Sequence, residues 1–242
     1  MPRKAEQPRT IAFVIYPGLT LLELIGPLTA FMGLTRGLVM PSRHYRAVTV
    51  AEQVRPVDSD TPMGLIPEKT FEDVPDPFAI IVPGGGISAL EAMGDERLLD
   101  YLRFAQHGAE IVGSISTGAF ILAAAGLLEG RQATTHPAYA QLLRELGVNY
   151  VEDDWVQNGR FISAAGVSGG LDMALYLVAQ LSNEPNAKDI QLVIEYDPDP
   201  PFGGVDHGHG GDDWLVTMTT EHRRELEQAL EGRPNLYQKL FT

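Results

Sequence analysis

The run Ile111-Val112-Gly113-Ser114-Ile115-Ser116-Thr117-Gly118-Ala119 passes from a short apolar stretch into a helix-forming one through a turn of small residues. A side chain on such a strand-to-helix turn stands clear of the sheet beside the first amides of the helix, the setting of a nucleophile elbow. Those amides stabilise negative charge as it develops on a substrate. Ser114-x-Ser116-x-Gly118 departs from the hydrolase pattern G-x-S-x-G in its first residue, and the same serines would also suit plain helix capping. Pro83-Gly84-Gly85-Gly86 closes a second apolar run, and its glycines let backbone N–H groups approach a ligand with no Cβ between them. If the runs at 78–82 and 110–113 are neighbouring strands, these amides face the pocket of Ser116 and complete an oxyanion hole. Gly84-x-Gly86-x-x-Ala89 is also a degenerate dinucleotide fingerprint, but no ribose-binding acid closes a βαβ unit around it.

Glu23 sits in Leu21-Leu22-Glu23-Leu24-Ile25-Gly26-Pro27. Apolar surroundings favour the protonated carboxyl and so a general acid or proton shuttle; the alternative is a surface carboxylate on the polar edge of a helix. His136 ends Ala133-Thr134-Thr135-His136-Pro137, where a lone histidine is either a structural hydrogen-bonding group or a catalyst. Asp206 to Asp213 has the composition of a metal-ligand cluster, but its glycines and the lack of a third histidine at helical spacing point to a solvated loop, so no metal is expected. With no cysteine in 242 residues, a disulfide scaffold, a thiolate zinc site and an active-site thiol are all excluded.

These residues need a scaffold. Ile11–Tyr16 and Phe78–Val82 are unbroken apolar runs, as expected for strands buried on both faces of a parallel sheet. Further strands are expected at 45–51 and 110–113, short strand pieces within the Pro-rich, acidic stretch 54–77, and a hairpin within 148–163 turning at Gln157-Asn158-Gly159. Helical spacing covers 21–38 with a break or kink at Gly26-Pro27, then 95–107, 117–128, 137–146 and 169–181. Asp197 to Asp213 reads as a long loop, with a polar terminal helix from Thr220 to Leu230. Strand–helix alternation with doubly buried runs gives an α/β sandwich. Charged residues at 21% describe an ordinary soluble domain, and the net charge of −14 disfavours nucleic acid and anionic membranes as partners. No secretory leader or membrane span is recognisable, so a cytoplasmic protein is expected.

Taken together, Phe13-Val14-Ile15-Tyr16-Pro17-Gly18, Glu23-Leu24-x-Gly26-Pro27, Val82-Pro83-Gly84-Gly85 and Ser114-x-x-Thr117-Gly118-Ala119 resemble the PfpI-like superfamily, which has the class I glutamine-amidotransferase-like fold. Ala123-Ala124-Ala125-Gly126-Leu127-Leu128-x-Gly130-Arg131, Ala133-Thr134-Thr135-His136, Gly169-x-x-Asp172-Met173-Ala174-Leu175 and Ile194-Glu195-Tyr196-Asp197-Pro198 look like its isocyanide (isonitrile) hydratase branch. The resemblance implies a flavodoxin-like three-layer sandwich over residues 10–203, after an N-terminal extension (1–9) and before an acidic Gly/His loop (204–218) and a C-terminal helix and tail (219–242). It implies a homodimer, a small isocyanide substrate and no cofactor. Mapped residue by residue, the elbow position is Ser116, where the family has cysteine, and the proton partner is Glu23. The oxyanion amides are those of Gly85 and Thr117 beside Gly84, and His136 stands near the nucleophile. Serine in the cysteine position implies an engineered or natural form of low activity; the alternatives are a non-catalytic ligand-binding member or a serine hydrolase.

Overall fold

A computed structural model describes residues 7–35 and 44–204, together with Thr217, Thr220, Glu221, Arg223 and Arg224, which are helical. The expected Asp206–Asp213 loop and most of the expected terminal helix lie outside the described residues.

The chain opens with β1 (Arg9–Val14), α1 (Leu21–Thr35) and β2 (Tyr45–Ala51). Three short strands follow, β3 (Val57–Asp58), β4 (Gly64–Leu65) and β5 (Lys69–Thr70), then β6 (Ala79–Val82), α2 (Ile87–Ala92), α3 (Glu96–Ala105), β7 (Ile111–Ile115) and α4 (Gly118–Ala124). Next come β8 (Gln132–Ala133), a single 3-10 turn (Pro137–Tyr139), α5 (Ala140–Glu145), β9 (Asn149–Tyr150), β10 (Trp155–Asn158), β11 (Phe161–Ala164), α6 (Gly169–Leu181) and α7 (Glu184–Val193).

Seven strands form one sheet in the order β10-β11-β7-β6-β1-β2-β5, parallel except for the β10–β11 hairpin at its edge. Ile11–Val14, Ile80–Val82 and Val112 have no exposed surface, as doubly covered strands require. Helices α1, α6 and α7 pack together as one layer, and α2, α3, α4 and α5 form the other. The result is the expected flavodoxin-like three-layer sandwich. The runs at 78–82 and 110–113 are indeed neighbours, with Val82 opposite Ser114.

Helix α1 is not broken at Gly26-Pro27. It continues through Pro27, and the Thr29 hydroxyl donates to the Ile25 carbonyl at 2.7 Å. Helix α4 is shorter than expected and ends at Ala124, whereas β7 runs two residues past Gly113. Helices α2 and α7 have no counterpart in the sequence pattern. The first has six residues, and α7 lacks a strong apolar face, with Leu192 and Val193 more than half exposed.

Sheet order sets the position of the site. From β1 the chain moves outward to β2, and from β6 it moves the opposite way to β7. Between β1 and β6 the winding reverses, and loops leaving the carboxyl ends of the two strands diverge to opposite faces and leave a crevice. Glu23 follows β1, the glycine loop follows β6 and Ser116 follows β7.

Candidate active site

Ser116 directly follows β7 with φ of 51°, a left-handed conformation uncommon for a residue with a side chain. The backbone is clamped on both sides. Its N–H donates to the Ala164 carbonyl at 2.8 Å, and its carbonyl accepts the Thr135 hydroxyl at 2.8 Å. Such strain, of about 1–3 kcal/mol, persists only where the surroundings over-determine it. Neither Ser114 nor Ser116 caps α4: the residue before the helix is Thr117, and its hydroxyl does not cap it either. The capping alternative therefore fails, and the elbow geometry stands in its place.

Thr117 is turned toward the glycine loop. Its Oγ1 accepts the N–H groups of Gly85 and Gly86, each at 3.0 Å, and so ties the loop after β6 to the turn after β7. The Gly85 amide thus points at Thr117 Oγ1 in this structure. The backbone leaves no room for side chains here. A Cβ on Gly84 would stand 2.6 Å from Thr117 Oγ1, 2.7 Å from Glu23 Oε2 and 2.8 Å from the Thr117 amide nitrogen. A Cβ on Gly118 would lie 2.2 Å from the Val82 carbonyl oxygen. Glycine at these positions is a packing requirement.

Glu23 is 1% exposed, so the surface-carboxylate alternative also fails. Oε2 accepts the Gly84 N–H at 2.5 Å, and the Ser116 side chain lies beside the carboxyl. Burial raises the Glu23 pKa from 4.5 to about 8, opposed by the hydrogen bonds from Gly84 and Ser116 and helped by the negative charge of Asp60. The helix dipole favours an anion in the first turn of α1, yet here desolvation outweighs it. Tyr16 supports the loop from behind: its hydroxyl donates to the Pro83 carbonyl at 2.9 Å, and burial together with the Glu23 charge raises its pKa well above the ordinary value.

His136 precedes the 3-10 turn, and its Nδ1 accepts the Ala138 N–H at 3.2 Å. Its neighbour Thr135 reaches the elbow directly, whereas the His136 ring packs edge-on against Tyr139. Two contributors were missed in the sequence, Thr135 and Asp60. The Asp60 carboxylate accepts the Leu21 N–H at 2.9 Å across 39 residues, a separation that leaves no local signal. Among the described residues no group of three or more His, Asp or Glu side chains is placed to hold a metal, and no helix is long and apolar enough to cross a membrane.

A doubly wound sheet with a strained elbow, an abutting glycine loop and a buried carboxyl at the switch crevice defines a flavodoxin-like protein with an elbow site. Residues 9–180 match the DJ-1/PfpI family, and the chain belongs to it. It is 39% identical to an isonitrile hydratase of Pseudomonas putida over 193 residues, 79% of this chain and 80% of that protein. A crystal structure of a THiJ/PfpI family protein from Pseudomonas syringae superposes with a TM-score of 0.81 at 32% identity, covering 92% of this chain and 89% of that one. Drosophila melanogaster DJ-1beta, at 17% identity and a TM-score of 0.69 over 79% of this chain and 100% of its own, shares the fold.

Proposed function

We propose that this protein is of the isonitrile hydratase type, acting on a small organic isocyanide through the residue at the elbow. The observation that carries the reading is a buried carboxyl, largely protonated at neutral pH, held by the Gly84 amide beside the side chain in the nucleophile position. The identity to the Pseudomonas putida enzyme supports the reaction class.

In the proposed reaction the elbow heteroatom bonds to the terminal carbon of R–N≡C. Its own X–H bond breaks, and the same carbon gains a hydrogen, with Glu23 relaying the proton. Water then adds to the C=N carbon, the bond to the elbow atom breaks, and a proton returns to that atom. The product is R–NH–CHO, so the sum is R–N≡C plus water. The Thr117 amide at the elbow supports the charge that develops during addition, whereas the expected role of Gly85 as an oxyanion donor is not available here. The Gly84 and Gly85 amides donate to Glu23 Oε2 and Thr117 Oγ1 and hold the carboxyl and the loop in place. No metal or organic cofactor enters this scheme.

A serine hydroxyl is a weak nucleophile without a base, and a carboxyl that already holds its proton is not one. The Nδ1 of His136 is engaged by the Ala138 N–H, not by Ser116. The serine form is accordingly proposed as one of low turnover. Formamide production from a simple alkyl isocyanide tests this in the chain and in its Ser116→Cys variant. The thiol variant is expected to be faster by several orders of magnitude, and Glu23→Leu in that background to abolish turnover. Turnover that survives Glu23→Leu would remove the proton relay.

The missing base also favours a second reading, a non-catalytic member that binds a small electrophile. Binding of isocyanide with no formamide even from the cysteine variant would support it. A serine hydrolase would instead be inactivated by a serine-directed phosphonate.

A further inference from the structure

We propose that Asp60 is a positioning residue for Glu23: it caps the helix that carries Glu23 and sets a fixed negative charge behind the group that must hold the proton. The inference rests on the reading of Glu23 as a proton carrier.

The loop at 58–60 is laced to the turn ahead of α1. Gly18 N–H donates to the Asp58 carbonyl at 2.9 Å, Asp60 N–H donates to the Leu19 carbonyl at 3.0 Å, and Leu19 and Ser59 form a parallel bridge. The Asp60 carboxylate then takes the Leu21 N–H at 2.9 Å, one of the amides that α1 cannot satisfy internally. On its other side the same turn is anchored by Thr20 N–H, which donates to the Gly84 carbonyl at 2.9 Å. The first turn of α1 is thus held between the 58–60 loop and the glycine loop, and Glu23 within it is aimed at Gly84 and Ser116.

The electrostatic consequence follows from exposure. Asp60 is exposed, whereas Glu23 is buried and its ionised form is desolvated. Asp60 occupies the positive end of the helix, where an anion is favoured, and its charge opposes ionisation of the second carboxyl. The groups acting on Glu23 are the Gly84 amide, the Ser116 hydroxyl and Asp60, with Tyr16 sensing the Glu23 charge from just past β1, and none of them is a cation.

Asp60→Asn separates the two roles, since the amide oxygen can still accept the Leu21 N–H while the charge is gone; Asp60→Ala removes both. The readout is the Glu23 carboxyl 13C shift followed by NMR across pH in the full chain. In Asp60→Asn we expect the midpoint to fall by about half a pH unit, with little change in Tm. In Asp60→Ala the same fall is expected together with a lower Tm. A midpoint that stays or rises in Asp60→Asn overturns the proposal. The titration needs no isocyanide, so a failure of the hydratase reading would show in the formamide assay and not here.

Discussion

At Glu23 two effects of opposite sign meet. Hydrogen bonds from Gly84 and Ser116 favour the carboxylate, and burial favours the acid. Burial prevails, and it leaves a mark on stability. Because the folded pKa is about 8 and the ordinary value 4.5, the folded chain holds a proton that the unfolded chain has lost across that interval. Stability supported by this group is complete below pH 4.5 and drains away as pH rises toward and through 8, by up to about 5 kcal/mol in all. Glu23→Gln keeps an oxygen for the Gly84 amide and cannot ionise. Denaturant unfolding at pH 5 and pH 9 should show the parent losing several kcal/mol more than the variant, and equal losses would mean that Glu23 titrates normally. In the sequence this residue was visible because a carboxylate interrupts an apolar run; its acidic neighbour in space was not, because Asp60 lies in an unpatterned acidic loop.

At the scale of elements, the site depends on how closely α4 sits on β6. Gly118 opens α4 against the Val82 and Pro83 carbonyls, and a methyl group there would fall 2.2 and 2.8 Å from their oxygens. Gly118→Ala should push the helix off the strand end and cost about 3 kcal/mol, read as a lowered unfolding midpoint. A neutral outcome would mean that the elbow is looser than these distances require. The elements themselves were legible in proportion to their pattern. Helix α6 was found end to end, since apolar residues fill it and Gly169-Gly170 and Ser182 bracket it. Pro27 misled, because proline removes one amide but the neighbouring α6 packs against it: a Cβ on Gly170 would come within 3.1 Å of the Pro27 ring. The conformation of Ser116 could not be read at all. It is imposed by Ala164 and Thr135, which lie far along the chain.

The molecule as a whole carries a formal charge of −14, and yet large apolar side chains stand exposed on α1, Leu22 at 59% and Ile25 at 42%. The homodimer that the sequence resemblance implies is proposed to cover this face, close to Glu23. Sedimentation equilibrium should then give twice the 26.4 kDa chain mass, and Leu22→Glu with Ile25→Glu should halve it. A monomer in both would place the association elsewhere or nowhere. Sheet order has a further consequence. Glu23, the glycine loop and Ser116 each hang from a different strand end, and the central strands that carry them are buried and largely apolar. A lineage can therefore edit one loop at a time without renegotiating the scaffold. A change of the one side chain at the elbow would be such a single-loop edit, able to alter what happens in the crevice while the rest of the fold is inherited whole.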